Sequence, residues 1–139
     1  MDLATLMFIS YRAMDERVVT AMQDAGFDIT PAQARLAQRI SDGGSRLTDL
    51  ARQAQVTKQT ASVLVAALEV KGVVERVPDP QDGRARLIRF TPAGRAAARR
   101  AQVIVARVER EWAEHLGPEL TAGLREALTV LREVTDPYR

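Results

Sequence analysis

Apolar residues recur at intervals of three and four along most of the chain, the spacing that places them on one face of an α-helix. The pattern predicts a long first helix over residues 3–25 and a long fifth helix from Thr91 to about Leu116. After a break at Gly117–Pro118, a sixth helix is predicted to end near Asp136. These three long helices carry wide apolar stripes and frame the middle of the chain.

Three shorter helices are predicted between the long ones. Thr30 opens the second helix as the first residue of a capping box. The third helix is predicted over residues 48–54 and the fourth over residues 57–71, with Thr48 and Thr57 as their N-terminal caps. The third and fourth helices, joined by a tight turn, form a helix–turn–helix.

A two-stranded ribbon is predicted directly after the fourth helix. Its strands are expected at Val73–Val77 and Leu87–Phe90, joined by a stiff loop from Pro78 to Arg86 in which Asp82–Gly83 forms the turn. Arg46–Leu47 is expected to add a short strand beside the hairpin. A helix–turn–helix followed by a hairpin predicts a winged-helix DNA-binding protein.

The fourth helix divides into two faces of different chemistry. One face is predicted to be buried and consists of Ala61, Leu64, Val65 and Leu68. The opposite face carries Lys58, Gln59, Ser62, Val63 and Ala66. Small, amide and hydroxyl side chains allow close approach to DNA, whereas an ordinary solvated helix more often shows pairs of Glu and Lys. A major groove about 12 Å wide admits one such helix.

Two arginines follow the predicted turn of the ribbon. Arg84 and Arg86 would give the hairpin a basic tip, which suits the negative potential of a DNA minor groove. Asp82 has a second interpretation, because it can pair with Arg84 simply to stabilise the turn. Both roles are compatible, since the same carboxylate can orient the arginine with which it pairs.

The long terminal helices carry more apolar surface than the small central unit can cover. Two copies of the chain would bury these faces against each other and present two reading helices to a palindromic site. Packing of the first helix within its own chain is an equally good interpretation of its stripe. We therefore predict a mainly α fold with a small β-hairpin wing. It would consist of a winged helix-turn-helix lobe at residues 30–91, with dimerisation helices at residues 1–29 and 92–139.

Composition removes several classes of site. The chain has no cysteine and a single histidine, His115, so thiol chemistry and a multi-histidine metal site within one chain are excluded. We find no catalytic triad, phosphate-binding glycine loop or fixed carboxylate pair, and we expect neither an enzyme nor a cofactor. No apolar run of about 18 residues or secretory signal is present, so we expect a cytoplasmic protein without a membrane partner.

The formal net charge of +2 conceals an uneven distribution of charge. Residues 30–100 hold thirteen basic and six acidic groups, a net charge of +7, whereas the flanking segments carry −3 and −2. Chance clustering on solvated faces would account for this pattern. A basic face for phosphates with acidic ends held away from DNA accounts for it equally simply.

The chain resembles the MarR family of bacterial transcriptional regulators over almost its whole length. The most specific part is DPQDGRA at residues 79–85, followed by LIRFTPAG at residues 87–94, which is similar to the wing signature of that family. The segment from Thr57 to Gly72 resembles the recognition helix of the family. The resemblance implies an obligate homodimer, expected to act as a repressor, that reads a pseudo-palindromic operator in double-stranded DNA.

The resemblance also implies roles for individual residues. The major-groove face would consist of Thr57, Lys58, Gln59, Thr60 and Ser62. Arg84 matches the wing arginine that enters the minor groove, with Arg86 beside it, and Asp82 matches the aspartate that braces Arg84. Two residues depart from the pattern: Gly83 replaces a wing arginine, and Val63 stands where a basic residue is common.

The family resemblance further implies a small aromatic or phenolic effector, bound between the dimer region and the DNA lobe. Tyr11, Arg12 and Trp112 are the candidate lining residues because they combine aromatic and basic character. A place in the core or a dimer interface is the more common role for a tryptophan such as Trp112, and a plain hydrogen-bonding role is the more common one for a lone histidine such as His115. The departures at Gly83 and Val63 leave a second function class open, a winged-helix interaction module that does not bind DNA.

Overall fold

A computed structural model describes residues 1–138 of the chain and contains six helices and one hairpin in that span. The helices are α1 (Leu3–Asp24), α2 (Pro31–Ala37), α3 (Leu47–Gln53), α4 (Lys58–Val70), α5 (Pro92–Leu116) and α6 (Pro118–Thr135). The strands are β1 (Val74–Asp79) and β2 (Asp82–Phe90), which pair antiparallel. The predicted fold class is confirmed. Arg139, the last residue of the predicted C-terminal region, lies outside the described residues.

Local sequence signals set most of the helix ends. The capping box predicted at Thr30 is present, with the Gln33 N–H donating to Thr30 Oγ1 and the Thr30 N–H donating to Gln33 Oε1, both at 3.2 Å. Thr57 caps α4 and Thr91 caps α5, each accepting from a backbone N–H at 3.0 Å. These hydroxyls satisfy donors that have no partner within the helix.

The start of α3 differs from the prediction. Leu47 is already helical and Arg46 occupies the N-cap position without a side-chain cap, so the predicted cap at Thr48 is wrong. The short strand is also displaced, because the bridge to β2 is made by Ser45 and Ile88 rather than by Arg46–Leu47. Two backbone hydrogen bonds of 2.9 and 2.8 Å hold that bridge and lead the chain directly into α3.

The strands reach further into the wing than predicted. Only Pro80–Gln81 separates β1 from β2, so the predicted loop over residues 78–86 and the turn at Asp82–Gly83 are wrong. Pro78 is accommodated because a two-stranded ribbon has outer edges where a missing N–H breaks no ladder bond. The register passes from Pro78↔Arg86 to Asp79↔Asp82, so residues 83–85 form a bulge in β2.

An aliphatic core holds the helix–turn–helix and the ribbon together. Its fully buried members include Leu36, Leu50, Val65, Leu68 and Ile88, contributed by α2, α3, α4 and β2. Burial of each such side chain contributes on the order of 1.5–3 kcal/mol. Packing of Ile88 therefore fixes that part of the wing to the lobe, whereas the tip of the wing lies beyond the core.

The terminal helices pack around a second, smaller cluster. Met22 of α1 contacts Ala97 and Ile104 of α5 in this cluster. Arg17 of α1 forms an ion pair with Glu111 further along α5, so the two helices run antiparallel. In α6, by contrast, no residue is buried. Within residues 1–138, no helix combines the length and apolarity needed to cross a membrane.

Candidate nucleic-acid interface

The N-terminal half of α4 presents a polar face to solvent. Thr57, Lys58, Gln59 and Thr60 are exposed and Ser62 is half-buried. The Thr57 hydroxyl donates to the Thr60 hydroxyl at 3.0 Å and accepts from the Thr60 N–H, so both threonines are engaged in starting the helix. In residues 1–138, the side chains of Lys58 and Gln59 have no such engagement. These two therefore carry the free donors and acceptors of this face.

One turn further along α4, Val63 is 64% exposed. It lies four residues from Gln59, so the two side chains are neighbours on the helix surface. An aliphatic group beside a free amide gives the face one hydrogen-bonding and one apolar contact point. On a DNA major groove these match an adenine edge and a thymine methyl.

A groove of about 410 Å³ lies beside the start of α4 and extends the polar face onto α3. It is lined by Thr48, Ala51, Arg52, Val56 and Lys58. Arg52 forms an ion pair with Asp49 of the same helix, and its side chain is 65% exposed. Thr48 was predicted from the sequence only as a helix cap, and neither Thr48 nor Arg52 was predicted to lie on this face.

The wing carries both of its predicted arginines in exposed positions. Arg84 projects from the bulge, and Arg86 follows two residues later on β2, opposite Pro78. Residues two apart on a strand point to the same face. The bulge interrupts this alternation, so Arg84 lies outside the regular ladder that begins at Arg86.

Asp82 makes different contacts from those predicted. Its Oδ1 accepts a hydrogen bond from the backbone N–H of Arg84 at 3.1 Å, so it shapes the bulge and does not pair with the Arg84 guanidinium. Its Oδ2 lies 3.9 Å from Nη2 of Arg46. The guanidinium beside Asp82 is therefore that of Arg46.

A second carboxylate, which the sequence analysis missed, is the principal partner of Arg46. Nε and Nη2 of Arg46 donate to Oδ2 of Asp79 at 3.1 and 2.8 Å. The other oxygen of Asp79 accepts from the Gln81 N–H at 2.9 Å. The Gln81 hydrogen bond, followed by that of Arg46, lowers the pKa of Asp79 below its ordinary value of 3.8. The signal in the sequence was an Asp-Pro pair at a strand end, typical of an aspartate that bonds to the backbone two residues on.

The candidate effector residues lie on the two helices of the second cluster. Tyr11 is 50% exposed on α1, and Arg12 donates to Glu16 at 2.8 Å on the same helix. Trp112 is half-buried on α5, next to Glu111. Within residues 1–138, no hydrogen bond or ion pair joins Tyr11 or Arg12 to Trp112. His115 is exposed in the last turn of α5.

A second surface, formed by the terminal helices, is apolar and open. On α1 the exposed apolar residues include Leu3, Leu6, Met7, Phe8 and Ile9. On α6 they include Leu120, Leu124, Leu128, Leu131 and Val134. We refer to these ten residues as the terminal apolar surface. Exposed apolar residues in this number typically mark a protein–protein contact.

The geometry of helix–turn–helix, bulged hairpin and basic tip can now be compared with known proteins. A sequence model of the MarR family matches residues 27–85. This span includes α2, α3, α4, β1 and the bulge of β2. The segment that forms most of the winged-helix lobe is thus similar to the MarR family.

Solved structures extend the likeness to the whole chain. The transcriptional regulator Tm0710 from Thermotoga maritima is 28% identical, with a TM-score of 0.66 over 94% of this chain and 91% of that one. MarR from E. coli in its reduced form is 23% identical, with a TM-score of 0.79 over 94% and 96% of the two chains. MepR from S. aureus bound to ethidium bromide is 23% identical, with a TM-score of 0.66 over 97% of each chain. No curated protein sequence matches the chain.

The MarR-type fold therefore includes the terminal helices as well as the lobe. The matched family segment carries Lys58, Gln59 and Arg84, three exposed polar side chains of the surface described above. The departures at Val63 and Gly83 also fall within it. Both residues are exposed on the lobe surface.

Proposed function

We propose that the protein is a homodimeric, sequence-specific DNA-binding transcriptional regulator that represses its target genes. The observation that carries this proposal is the free polar edge of α4, with Lys58 and Gln59 exposed, on the same lobe as two exposed wing arginines. In this proposal the helix predicted over residues 57–71 enters the major groove. The wing, residues 78–86, lies along the adjacent minor groove.

The two contacts would contribute differently to binding. A bidentate contact between Gln59 and adenine discriminates against the wrong base by about 1–3 kcal/mol. Arg84 and Arg86 would contribute salt-dependent affinity and a preference for a narrow minor groove. Thr57, Thr60 and Ser62 would supply contacts to phosphate and sugar, which position the protein without reading sequence. Asp82 would hold the wing bulge in shape.

Dimerisation supports the proposal through the terminal apolar surface. Leu124 is 48% exposed and Leu128 46% exposed in one chain. A second copy would cover such residues through a two-fold interface, in which the same patch is used by both chains. Two reading helices related by that axis would face half-sites one helical turn apart, so the operator would be pseudo-palindromic. A regulator of bacterial DNA acts in the cytoplasm, and this location is part of the same proposal.

Release by a small aromatic or phenolic effector is the regulatory part of the proposal. The solved structure of MepR from S. aureus contains bound ethidium bromide, an aromatic compound. In this chain, Tyr11, Arg12 and Trp112 lie on the helices that join the terminal apolar surface to the lobe. An effector that favours one separation of the two reading helices would change DNA affinity by its differential affinity for the two arrangements.

Footprinting and gel retardation on the fragment upstream of the protein's own gene test the proposal. The wild-type protein should protect two half-sites and migrate as a dimer complex. Gln59→Ala should relax sequence preference, whereas Gln102→Ala, an exposed amide on α5, should have no effect. Failure to retard any genomic fragment at low salt, together with the mass of a single chain, would leave the interaction module as the function.

A further inference from the structure

Two adjacent residues at the start of α3 attach the wing to the lobe at two points, in addition to the ion pair that joins β1 to α4. The backbone of Ser45 exchanges two hydrogen bonds with Ile88, near the C-terminal end of β2. The side chain of the next residue, Arg46, contacts Asp79 at the end of β1. Ile88 pairs with Arg76 across the ribbon, and Asp79 lies three residues beyond Arg76. At the rise of a strand, that separates the two points by about 10 Å.

The second attachment matters because the rest of the tip has little support. A two-stranded ribbon is marginally stable by itself. Ile88, at the first attachment, is buried in the lobe core, whereas Pro80, Gln81 and Gly83 at the tip are exposed. Asp79 is the exception, with only 9% of its surface exposed beneath Arg46. Within residues 1–138, the contact of Arg46 with Asp79 thus links the exposed tip to the helical part of the lobe.

The contact geometry restricts rotation of the tip as well as its distance. The carboxylate of Asp79 makes two kinds of contact. Its Oδ2 accepts two hydrogen bonds from Arg46, and its Oδ1 accepts one from the N–H of Gln81. The bonds from Arg46 tie the tip to the N-cap residue of α3, and the bond from Gln81 shapes the link between the two strands. Asp82, 3.9 Å from the same guanidinium, begins the bulge that carries Arg84.

We propose that Arg46 is a positioning residue for the wing, holding Asp79 and Asp82 so that Arg84 is directed towards the minor groove. This inference deepens the proposed function and rests on it for the DNA contact. Arg46 acts through the tip, because its charge is offset by two neighbouring carboxylates and attracts phosphate weakly. Arg84 is the residue that meets DNA.

The first experiment measures the wing without DNA. The chain has no cysteine, so Gly83→Cys supplies a single site for a nitroxide label. Position 83 has an ordinary φ, and an added Cβ would meet nothing within 4 Å. Label mobility is then compared in otherwise unchanged, Arg46→Gln and Asp79→Asn backgrounds by electron paramagnetic resonance. Arg125→Gln is the matched control, because it removes an exposed arginine of α6 from its ion pair with Glu109 of α5.

Arg46→Gln and Asp79→Asn should each increase label mobility, and Arg125→Gln should leave it unchanged. Arg46→Lys keeps the charge but loses the two-donor contact, and should fall between Arg46→Gln and the unchanged background. Unchanged mobility in both Arg46→Gln and Asp79→Asn overturns the proposal. Thermal unfolding of each variant identifies general loss of fold. If Arg46→Gln or Asp79→Asn fails to fold, the label mobility of Arg46→Lys, the milder change, tests the proposal.

The second experiment asks whether Arg46 acts through Arg84. In the wild-type background, Arg84→Ala should weaken binding to the upstream fragment about tenfold. In the Arg46→Gln background the same change should weaken binding less than about threefold, because neighbours that act as a unit are not additive. Equal effects in the two backgrounds contradict positioning. Absence of all DNA binding with altered label mobility would refute the proposed function while leaving Arg46 as the residue that holds the tip.

Discussion

Arg39, two residues after the end of α2, and Asp136, the C-cap of α6, form a hydrogen-bonded ion pair. Nη1 of Arg39 donates to Oδ2 of Asp136 at 3.2 Å. The same carboxylate accepts from Nε of Arg132 and from the N–H of Tyr138, both at 3.0 Å. Its side chain is only 11% exposed, although no residue of α6 is buried. The C-terminal end of α6 is therefore tied to the winged-helix lobe by a polar contact.

This contact predicts a specific response to acid. The hydrogen bonds from Arg132 and Tyr138, with that of Arg39, lower the pKa of Asp136 below its ordinary value of 3.8. A carboxyl group with a lowered pKa in the folded state stabilises that state above its ordinary pKa. That contribution is lost as the pH falls below 3.8 towards the lowered value. Thermal unfolding followed between neutral pH and acid should show Asp136→Asn with a lower midpoint at neutral pH.

The difference between Asp136→Asn and the wild-type protein should shrink as the medium becomes acidic. Asp42→Asn, an exposed aspartate in the loop after α2, is the control and should track the wild-type curve. A constant difference at every pH would mean that the contact stabilises by shape alone, and not by its charge.

A matched pair of glycine substitutions tests how closely Val73, directly before β1, packs against the start of α5. A Cβ built at Gly94 would lie 1.9 Å from the carbonyl oxygen of Val73, whereas one at Gly123 meets nothing within 4 Å. Gly94→Ala should cost on the order of 1–3 kcal/mol in unfolding free energy because the core is overpacked. Gly123→Ala should gain about 0.5–1 kcal/mol, since alanine is the better helix former. Denaturant unfolding measures both, and equal effects would contradict the close approach at Gly94.

Most of the predicted caps were correct, although the one at Thr48 was wrong, whereas the long-range contacts were not predictable from sequence, for a physical reason. Thr57 and Thr91 act on backbone groups three residues away, so their role is written in local spacing. The contact of Arg46 with Asp79 spans 33 residues, and no local pattern encodes it. The wing strands were predicted too short because Pro78 was taken to end β1. In a ribbon with two open edges, a proline on the outer side removes no ladder bond.

The polar face of α4 was predictable for the same reason as the caps. Helical periodicity separates Ala61, Val65 and Leu68, which are buried, from Lys58 and Gln59, which are exposed. Periodicity does not indicate which polar side chains on the outer face remain free. The structure adds that Thr57 and Thr60 are bonded to each other, which reduces their freedom to read bases.

Gln59 should therefore determine more of the sequence preference than its neighbours. Gln59→Ala should lower discrimination between the operator and a variant operator by about 1–3 kcal/mol. Thr60→Val, which keeps the shape of the side chain, should reduce affinity for all sequences nearly equally. Competition binding with a panel of single-base operator variants distinguishes the two outcomes. If Thr60→Val changes base preference more than Gln59→Ala, the assignment of the reading residue is wrong.

The wing arginine should be visible in the salt dependence of binding. Each phosphate contact contributes a slope of about 0.9 to the fall of log K with log salt concentration. Arg84→Ala should therefore reduce that slope by about one, with little change in base preference in the major groove. Arg125→Ala removes the same charge from α6 and should leave the slope unaltered. A loss of slope in both variants would indicate a general electrostatic effect in place of a wing contact.

The terminal apolar surface gives the last prediction, a loss of self-association by a single charge. Leu128 on α6 is 46% exposed, and Val70 at the end of α4 is 89% exposed. Leu128→Glu would place an unpaired carboxylate within the proposed two-fold interface, where burial of a charge without a partner costs several kcal/mol. The dimer dissociation constant measured by sedimentation should rise at least about tenfold, which corresponds to about 1.4 kcal/mol. Val70→Glu introduces the same charge on the lobe and should leave the dimer mass measured by sedimentation unchanged.

The Leu128→Glu substitution has a consequence for DNA binding. Because a monomer presents one reading helix, Leu128→Glu should also abolish protection of paired half-sites. Retention of both dimer and footprint would show that α6 lies outside the interface.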